Sequence, residues 1–480
     1  MRGTPDDVHV NIDLDPPVRQ AVLAALERAV AAHVEGIHKL AVVPSEEDVR
    51  AALGDVAAID LEVPSEPVEL VERVEAILRR GVVHTGHPGY MGLFNPAASA
   101  MGIVGDTLAA TFNPQLAVVS HAPAAAAIER ACTDLLVRRT GLPEGSSGQF
   151  ASGGSEANLL GVLVALHRAF PRVAAEGLHT LERQPSLYVS VEAHHSILKL
   201  VQAIGLGRSA VRTVAVDDAG RLGVERFAEA IRKDRADGCV PFLVVATAGT
   251  TGGGAVDPLV DVTSLAHDEG LHVHVDAAWA GALVLSDRHH HRLAGIERAD
   301  SVTIDAHKWL SAPMGAGVFL TPHTDALRHA FSVDTGYMPT AETTDPYLTG
   351  MQWSRRFTGL KVFLTLAAAG RRGLASEIDR MVELGDELRA GLVADGWRLR
   401  NRTPLPLVCV DDPAVPPDTQ GTHLRAIVDA VAATGSAWLS LVDLDRRPAI
   451  RACITSYRTD PGTVDTVRHL LRTTRDQCRP

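Results

Sequence analysis

Between about residue 100 and residue 365 the chain alternates short, wholly apolar runs with longer polar or helical segments. The runs are Leu187–Val191, Val211–Val216, Phe242–Thr247, Leu271–Val275, Val302–Ile304 and Gly317–Leu320. A run apolar on both faces needs cover on both faces. Strands of this kind, separated by helices, predict a mostly parallel sheet flanked by helices, an α/β fold. One of those helices is expected to open at Asp257-Pro258, with an aspartate cap and proline in the first turn. In such sheets ligands sit beyond the carboxyl ends of the strands, so the residues just after each run carry the functional information.

A length of 480 residues is too much for one core. Three parts are expected: a helical segment over 1–95, a large domain over 96–365 and a small α+β domain over 366–480. In the first part, Asp15 precedes Pro16, and Val22, Leu26 and Val30 recur along one helix face. A second helix begins near Ser65, carries Leu70, Val71, Val74, Ile77 and Leu78, and stops at Gly81. These faces have no local partner and predict packing on the large domain or on a second subunit. The last part reads as a helix over Ser376–Leu392, strands at Leu405–Val410, Ala437–Val442 and Ala449–Ile454, and helices at Thr422–Ala433 and Pro461–Arg472.

Composition adds exclusions. Charges or glycines interrupt every apolar stretch before the roughly 18 residues that a membrane helix needs. The start, Met1-Arg2-Gly3-Thr4-Pro5, has no hydrophobic signal region. Five scattered cysteines lack CxxC spacing, which favours a reducing cytoplasm. A net charge of −12 argues against general nucleic-acid binding.

Two of the strand ends then stand out. The run Leu271-His272-Val273-His274-Val275 ends in Asp276, and Ser301-Val302-Thr303-Ile304-Asp305-Ala306-His307 leads to Lys308. A lysine and a carboxylate so placed are what pyridoxal 5′-phosphate (PLP) requires. The lysine amine forms a Schiff base, and the carboxylate keeps a proton on the pyridine nitrogen. Ala278 is small enough to lie flat under a ring. The segment Ala151-Ser152-Gly153-Gly154-Ser155-Glu156-Ala157-Asn158 leads into a helical run and predicts an anion cup, although no Gly-Lys-Ser/Thr follows. Glu192-Ala193-His194-His195-Ser196 follows a strand and offers a histidine to stack on the ring. Thr247-Ala248-Gly249-Thr250-Thr251-Gly252-Gly253-Gly254 does not match GxGxxG and reads as a loop with a cofactor-facing hydroxyl. His289-His290-His291 has neither an i,i+4 partner nor cysteines and reads as a solvated loop, so no metal is expected.

In this order the segments resemble the group II PLP-dependent amino acid decarboxylases, which include the aromatic-L-amino-acid, glutamate and histidine decarboxylases. The resemblance runs from about His87 to Thr459 and implies a fold-type I PLP enzyme. It implies Lys308 as the Schiff-base lysine, Asp276 as the pyridinium partner, His194 as the stacking base and Ala278 on the opposite face. Gly153, Gly154 and Ser155 would hold the phosphate, Thr251 would face the cofactor, and His307 would lie near the phosphate. Family members often carry Asn-Pro-His-Lys where this chain has Asp305-Ala306-His307-Lys308. An anionic Asp305 beside a phosphate is unfavourable unless it is paired. The stretch Ala330–Met338 is similar to the family's catalytic loop, with Tyr337 in the place of the tyrosine that protonates Cα after CO2 leaves. Gln352-Trp353-Ser354-Arg355-Arg356-Phe357-Thr358-Gly359-Leu360-Lys361 resembles the family's Arg-Arg-Phe-x-x-Leu-Lys run. His87, Tyr90, Leu93 and Phe94 lie in a segment similar to the family's substrate-pocket wall. Leu93, where aromatic-acid members tend to carry tyrosine, points away from an aromatic substrate.

The reading is a homodimeric, cytoplasmic L-amino acid α-decarboxylase with its site between subunits. The alternatives are an aldehyde-forming oxidative decarboxylase, which Tyr337 disfavours, and a catalytically silent protein of the same fold.

Overall fold

The computed structural model describes residues 12–333 and 345–479. Its large sheet contains β1 (Ser147–Ala151), β2 (Pro185–Ser190), β3 (Val211–Val214), β4 (Val240–Thr247), β5 (His272–Asp276), β6 (Ser301–Asp305) and β7 (Gly317–Thr321), in the spatial order β1-β7-β6-β5-β4-β2-β3. The pairs β3–β2, β2–β4, β4–β5 and β5–β6 are parallel, whereas β7 runs antiparallel to both β6 and β1. The reversal has a simple cause. The chain from 306 to 316 contains no helix, and a parallel crossover needs about a dozen residues or more. All six apolar runs became strands of this sheet. β1 was not anticipated, because Ser-Gly-Gln-Phe-Ala is too polar to read as a strand, and its first three residues are only half-buried.

Val244, Ala246, Val273, Val275, Val302 and Ile304 are fully buried, as strands covered on both faces require. The helix Gly154–Ala169 packs across β5, β6 and β7. It approaches β5 so closely that a Cβ on Gly161 would lie 2.3 Å from the His274 ring. The segment Asp257-Pro258 behaves differently from expectation. The helix there is Leu259–Asp268, and the Asp257 side chain does not cap it. Its carboxylate instead accepts the backbone N–H groups of Leu222 and Thr247, each at 2.7 Å, and burial pushes its pKa up to about 6. Tying the end of β4 to the bridge residue Leu222 took precedence over capping a helix.

The small sheet contains β8 (Arg398–Leu399), β9 (Leu407–Asp411), β10 (Ser440–Leu444) and β11 (Arg447–Cys453), in the order β10-β11-β9-β8, all antiparallel. The preceding helix spans Gly359–Ala394 and is broken at Gly370 (φ 65°, ψ 160°), so the helix read over Ser376–Leu392 is only its second half. At the N-terminal end the helices are Pro16–Gly36, Glu46–Ala57 and Pro67–Gly81. The chain after them adds to the small sheet: Tyr90 pairs with Trp438, and Met91 donates to the Trp438 carbonyl and accepts from Cys453. Among the described residues no helix is long and apolar enough to cross a membrane.

Candidate active site

The carboxyl ends of β4, β5 and β6 open on a cavity of about 370 Å3. Thr247, Asp276 and Asp305 are the last residues of those strands, and Lys308 stands one turn further on. Gly153, Gly154, Ser155, His194, Thr251, Ala278 and His307 complete the walls. Every described residue expected to hold the cofactor therefore faces one space.

Lys308 Nζ lies 3.0 Å from Asp305 Oδ2. The other oxygen, Asp305 Oδ1, is buried without a hydrogen-bond partner among the described residues. Burial raises the Asp305 pKa, with Lys308 and His307 opposing. A Cβ on Gly154 would lie 2.7 Å from Asp305 Oδ2, so only glycine lets the carboxylate reach the start of the helix Gly154–Ala169. Asp305 thus occupies the mouth of the anion cup, and its pairing with Lys308 satisfies the condition the sequence set. The first turn of that helix presents backbone N–H groups without helical acceptors. Glu156, in that turn, accepts from Ser152 N at 2.7 Å and from Gln352 Nε2. His307 Nδ1 accepts from Ala316 N at 3.2 Å, and burial lowers its pKa.

Asp276 Oδ1 accepts the Ala278 N–H at 3.1 Å and Oδ2 accepts Asn158 Nδ2 at 2.8 Å. His194 Nδ1 accepts from the Ser196 N–H at 3.3 Å and lies 2.8 Å from the Ser196 hydroxyl, which fixes the ring at the cavity wall. Burial lowers its pKa; Asp276 opposes that shift and Lys308 reinforces it. Thr247 Oγ1 is buried without a hydrogen-bond partner among the described residues.

The residues expected to line a substrate pocket are not all at this cavity. Phe94 stands one ring behind it, stacked at 4.5 Å on Trp279, which is itself a wall residue. Leu93 is 39 % exposed. His87 and Tyr90 are buried elsewhere: His87 Nδ1 accepts from Gly89 N at 2.9 Å, and Tyr90 stacks on Trp438 at 5.0 Å. Tyr90 serves the junction with the small sheet, and His87 holds the turn that leads into it. Tyr337 lies outside the described residues.

Sequence reasoning missed several residues that build this site. Trp279 donates to the Gly249 carbonyl at 2.7 Å, and a Cβ on Gly249 would strike its indole. Arg451, only 4 % exposed, donates to the carbonyls of Gly92 and Thr251 and to the Ser440 hydroxyl, and lies 5.5 Å over the Phe94 ring. It ties the Thr251 loop to the 92–94 segment, a link between distant stretches with no local signal. The histidine triplet also differs from expectation. His290 and His291 are exposed, but His289 is buried, with Nε2 3.8 Å from Asp379. A different group, His272, Asp300 and His323, has the spacing of metal ligands. Arg168 lies within it, 3.2 Å from Asp300 and 2.9 Å from His272, and supplies the positive charge.

The residues fit PLP. The cavity offers an amine, a carboxylate on the neighbouring strand, a glycine-formed cup and two buried polar atoms, Thr247 Oγ1 and Asp305 Oδ1, that lack partners among the described residues. A sheet of this order, with ligands gathered where its parallel strands end, is the frame of a fold-type I PLP-dependent enzyme. The chain belongs to the pyridoxal-dependent decarboxylase family, whose conserved domain matches residues 54–410. It is 34 % identical over 334 residues to human cysteine sulfinic acid decarboxylase, covering 67 % of this chain and 66 % of that protein. It is 29 % identical over 406 residues to the aromatic-L-amino-acid decarboxylase of Bacillus atrophaeus, covering 82 % of each. The crystal structure of mouse CSAD in apo form superposes with a TM-score of 0.89 at 26 % identity, over 96 % of this chain and 99 % of that one. The protein is accordingly a PLP-dependent decarboxylase, an enzyme that converts an amino acid to an amine with loss of CO2.

Proposed function

We propose that the chain is an L-amino acid α-decarboxylase in which Lys308 holds the cofactor covalently. The observation that carries this is Lys308 and Asp276 at the ends of adjacent parallel strands, facing the glycine-rich helix start across one cavity. When bound, PLP supplies the sink for the electron pair left at Cα as CO2 departs. The chain's own residues do the rest. The N–H groups of Gly153, Gly154 and Ser155 bind the phosphate, with His307 beside it. Asp276 would accept the ring N–H. His194 and Ala278 would hold the ring between them, and Thr251 would offer its hydroxyl. Together they orient the substrate so that the bond to the carboxylate is the one that breaks. Tyr337 returns a proton to Cα. Leu93 and Phe94 shape the space for the substrate side chain, whereas His87 and Tyr90 anchor their segment.

A homodimer is part of this reading. Leu23, Leu26 and Val30 are exposed on the first helix, and Phe112 is 77 % exposed at the end of the helix Ala100–Phe112. A second copy of the chain covers such faces, and Leu93 with them. Five free cysteines, three of them buried, support cytoplasmic residence. Screening the common L-amino acids for CO2 tests the function. At least one should give CO2 and amine in equal amounts. Release of aldehyde and ammonia instead, or no release from any, would overturn the reading.

A further inference from the structure

A continuous line of buried hydrogen bonds leads from the far end of the sheet to Asp276. Arg168 Nη1 lies 2.9 Å from His272 Nδ1. His272 Nε2 lies 2.9 Å from Ser301 Oγ, and Ser301 Oγ lies 2.8 Å from His274 Nδ1. His274 Nε2 lies 3.0 Å from Asn158 Oδ1, with Thr303 Oγ1 at 3.3 Å, and Asn158 Nδ2 lies 2.8 Å from Asp276 Oδ2. All of these except Arg168 are buried.

The chemistry fixes the direction of every bond. Arginine only donates, so His272 Nδ1 accepts. His272 is then neutral, with its proton on Nε2, and donates to Ser301. Worked from the other end, the Asp276 carboxylate only accepts. Asn158 therefore donates from Nδ2 and turns Oδ1 to His274, which donates from Nε2 and accepts at Nδ1. The two assignments meet at Ser301, whose oxygen accepts from His272 and whose proton goes to His274. No donor faces a donor anywhere along the line. Burial lowers the pKa of both histidines, that of His274 to about 4, in keeping with neutral rings.

We propose that Asn158, His274, Ser301 and His272 form a one-way hydrogen-bond relay that positions Asp276 for the cofactor ring nitrogen. The relay fills Oδ2 and Ala278 fills Oδ1, so the carboxylate cannot rotate without breaking both bonds. Asp276 so held lines the cavity. Ser301 is the relay's weakest member. Without its hydroxyl, His274 Nδ1 loses its donor and the ring is free to hold its proton on that side. His274 Nε2 would then accept, the Asn158 amide would turn over, and its oxygen would face the Asp276 carboxylate.

This inference rests on the assignment of Asp276 to the ring nitrogen, and the test separates the two. Holoenzyme is prepared with PLP labelled with 15N in the ring, and its nitrogen resonance is read in wild type and variants. Asp276→Asn should move the resonance toward that of an unprotonated ring; if it does not, the Asp276 assignment falls and the relay with it. Ser301→Ala, which touches neither cavity nor cofactor, should move it the same way and lower kcat about tenfold with KM little changed. Ser301→Thr keeps the hydroxyl and should restore the wild-type resonance. Arg168→Met removes the first donor at the partly exposed end and should give a smaller shift in the same direction, even if Ser301→Ala does not fold. An Asp276-dependent resonance that stays at its wild-type position in both Ser301→Ala and Arg168→Met overturns the relay.

Discussion

Strands β5 and β6 have one end where charge is closed off and one where it is left open. At their amino ends Asp300 accepts from Val273 N at 2.8 Å, His323 at 2.6 Å, His267 at 3.1 Å and Arg168 at 3.2 Å. Those bonds hold its carboxyl well below the usual carboxylate range, against the cost of burial. At the carboxyl ends Asp305 has one oxygen paired with Lys308 and one with no partner among the described residues, and Thr247 Oγ1, at the neighbouring end of β4, has none among them either. Both clusters contain buried acids and bases, so composition does not distinguish them. Satisfaction does. A closed cluster contributes to the fold, whereas a cluster with buried polar atoms lacking partners marks a place shaped for something else.

Perturbing the open end should cost activity, and perturbing Asp300 at the closed end should cost stability. The largest effect falls on Lys308→Ala, which should bind cofactor only without a covalent bond and release no measurable CO2; turnover within about tenfold of wild type would break the contrast. Asp276→Ala should keep some cofactor but lose roughly 10²–10³ in rate, the range for one preorganised electrostatic partner. A loss within about threefold would put the carboxylate's role elsewhere.

Asp305→Asn sharpens the comparison at a single atom. An ionised Asp305 repels a phosphate in the same cup, and its burial already raises its pKa. Cofactor binding should therefore favour protonated Asp305, which means binding weakens as pH rises. The amide has no such dependence. Equilibrium titration should show the wild-type Kd rising with pH above the raised Asp305 pKa by up to about tenfold per unit relative to the variant's. Parallel slopes would show that Asp305 does not face the phosphate.

The smallest effect on activity belongs to Asp300→Asn. Its depressed pKa means that Asp300 contributes stability at neutral pH, lost as pH falls through and below the ordinary carboxylate range. The variant should unfold at lower denaturant concentration at pH 7, by about 1–3 kcal/mol for a buried, bonded charge, and the gap should close on acidification. An unchanged midpoint at pH 7 would mean that the closed cluster does not stabilise the fold.

Much of the open end was legible from sequence, because each of its residues follows a run of apolar strand residues or a glycine pair. Lys308, Asp276, Gly153 and Gly154 could be read because their surroundings are local in the chain. The closed end was not. His272 and His274 look like ordinary alternation within a strand, and only the fold brings Arg168 and Asp300 to them. Arg451 and Trp279 escaped for the same reason. Asp257 was misread because a local cap and a long-range tie use the same residue type. β1 was invisible because an edge strand beside an antiparallel neighbour need not be apolar. His87 and Tyr90 lie in a pocket-like motif, yet Tyr90 stacks on Trp438 beside the small sheet and His87 bonds to its own turn at Gly89.

The most direct test of the account is to find where the cofactor is attached. Borohydride reduction of the holoenzyme should fix PLP irreversibly, and peptide mapping should place it on Lys308 alone. A label on Lys199 or on the buried Lys361 would contradict the account, because the site would then not be the cavity at the ends of β4, β5 and β6.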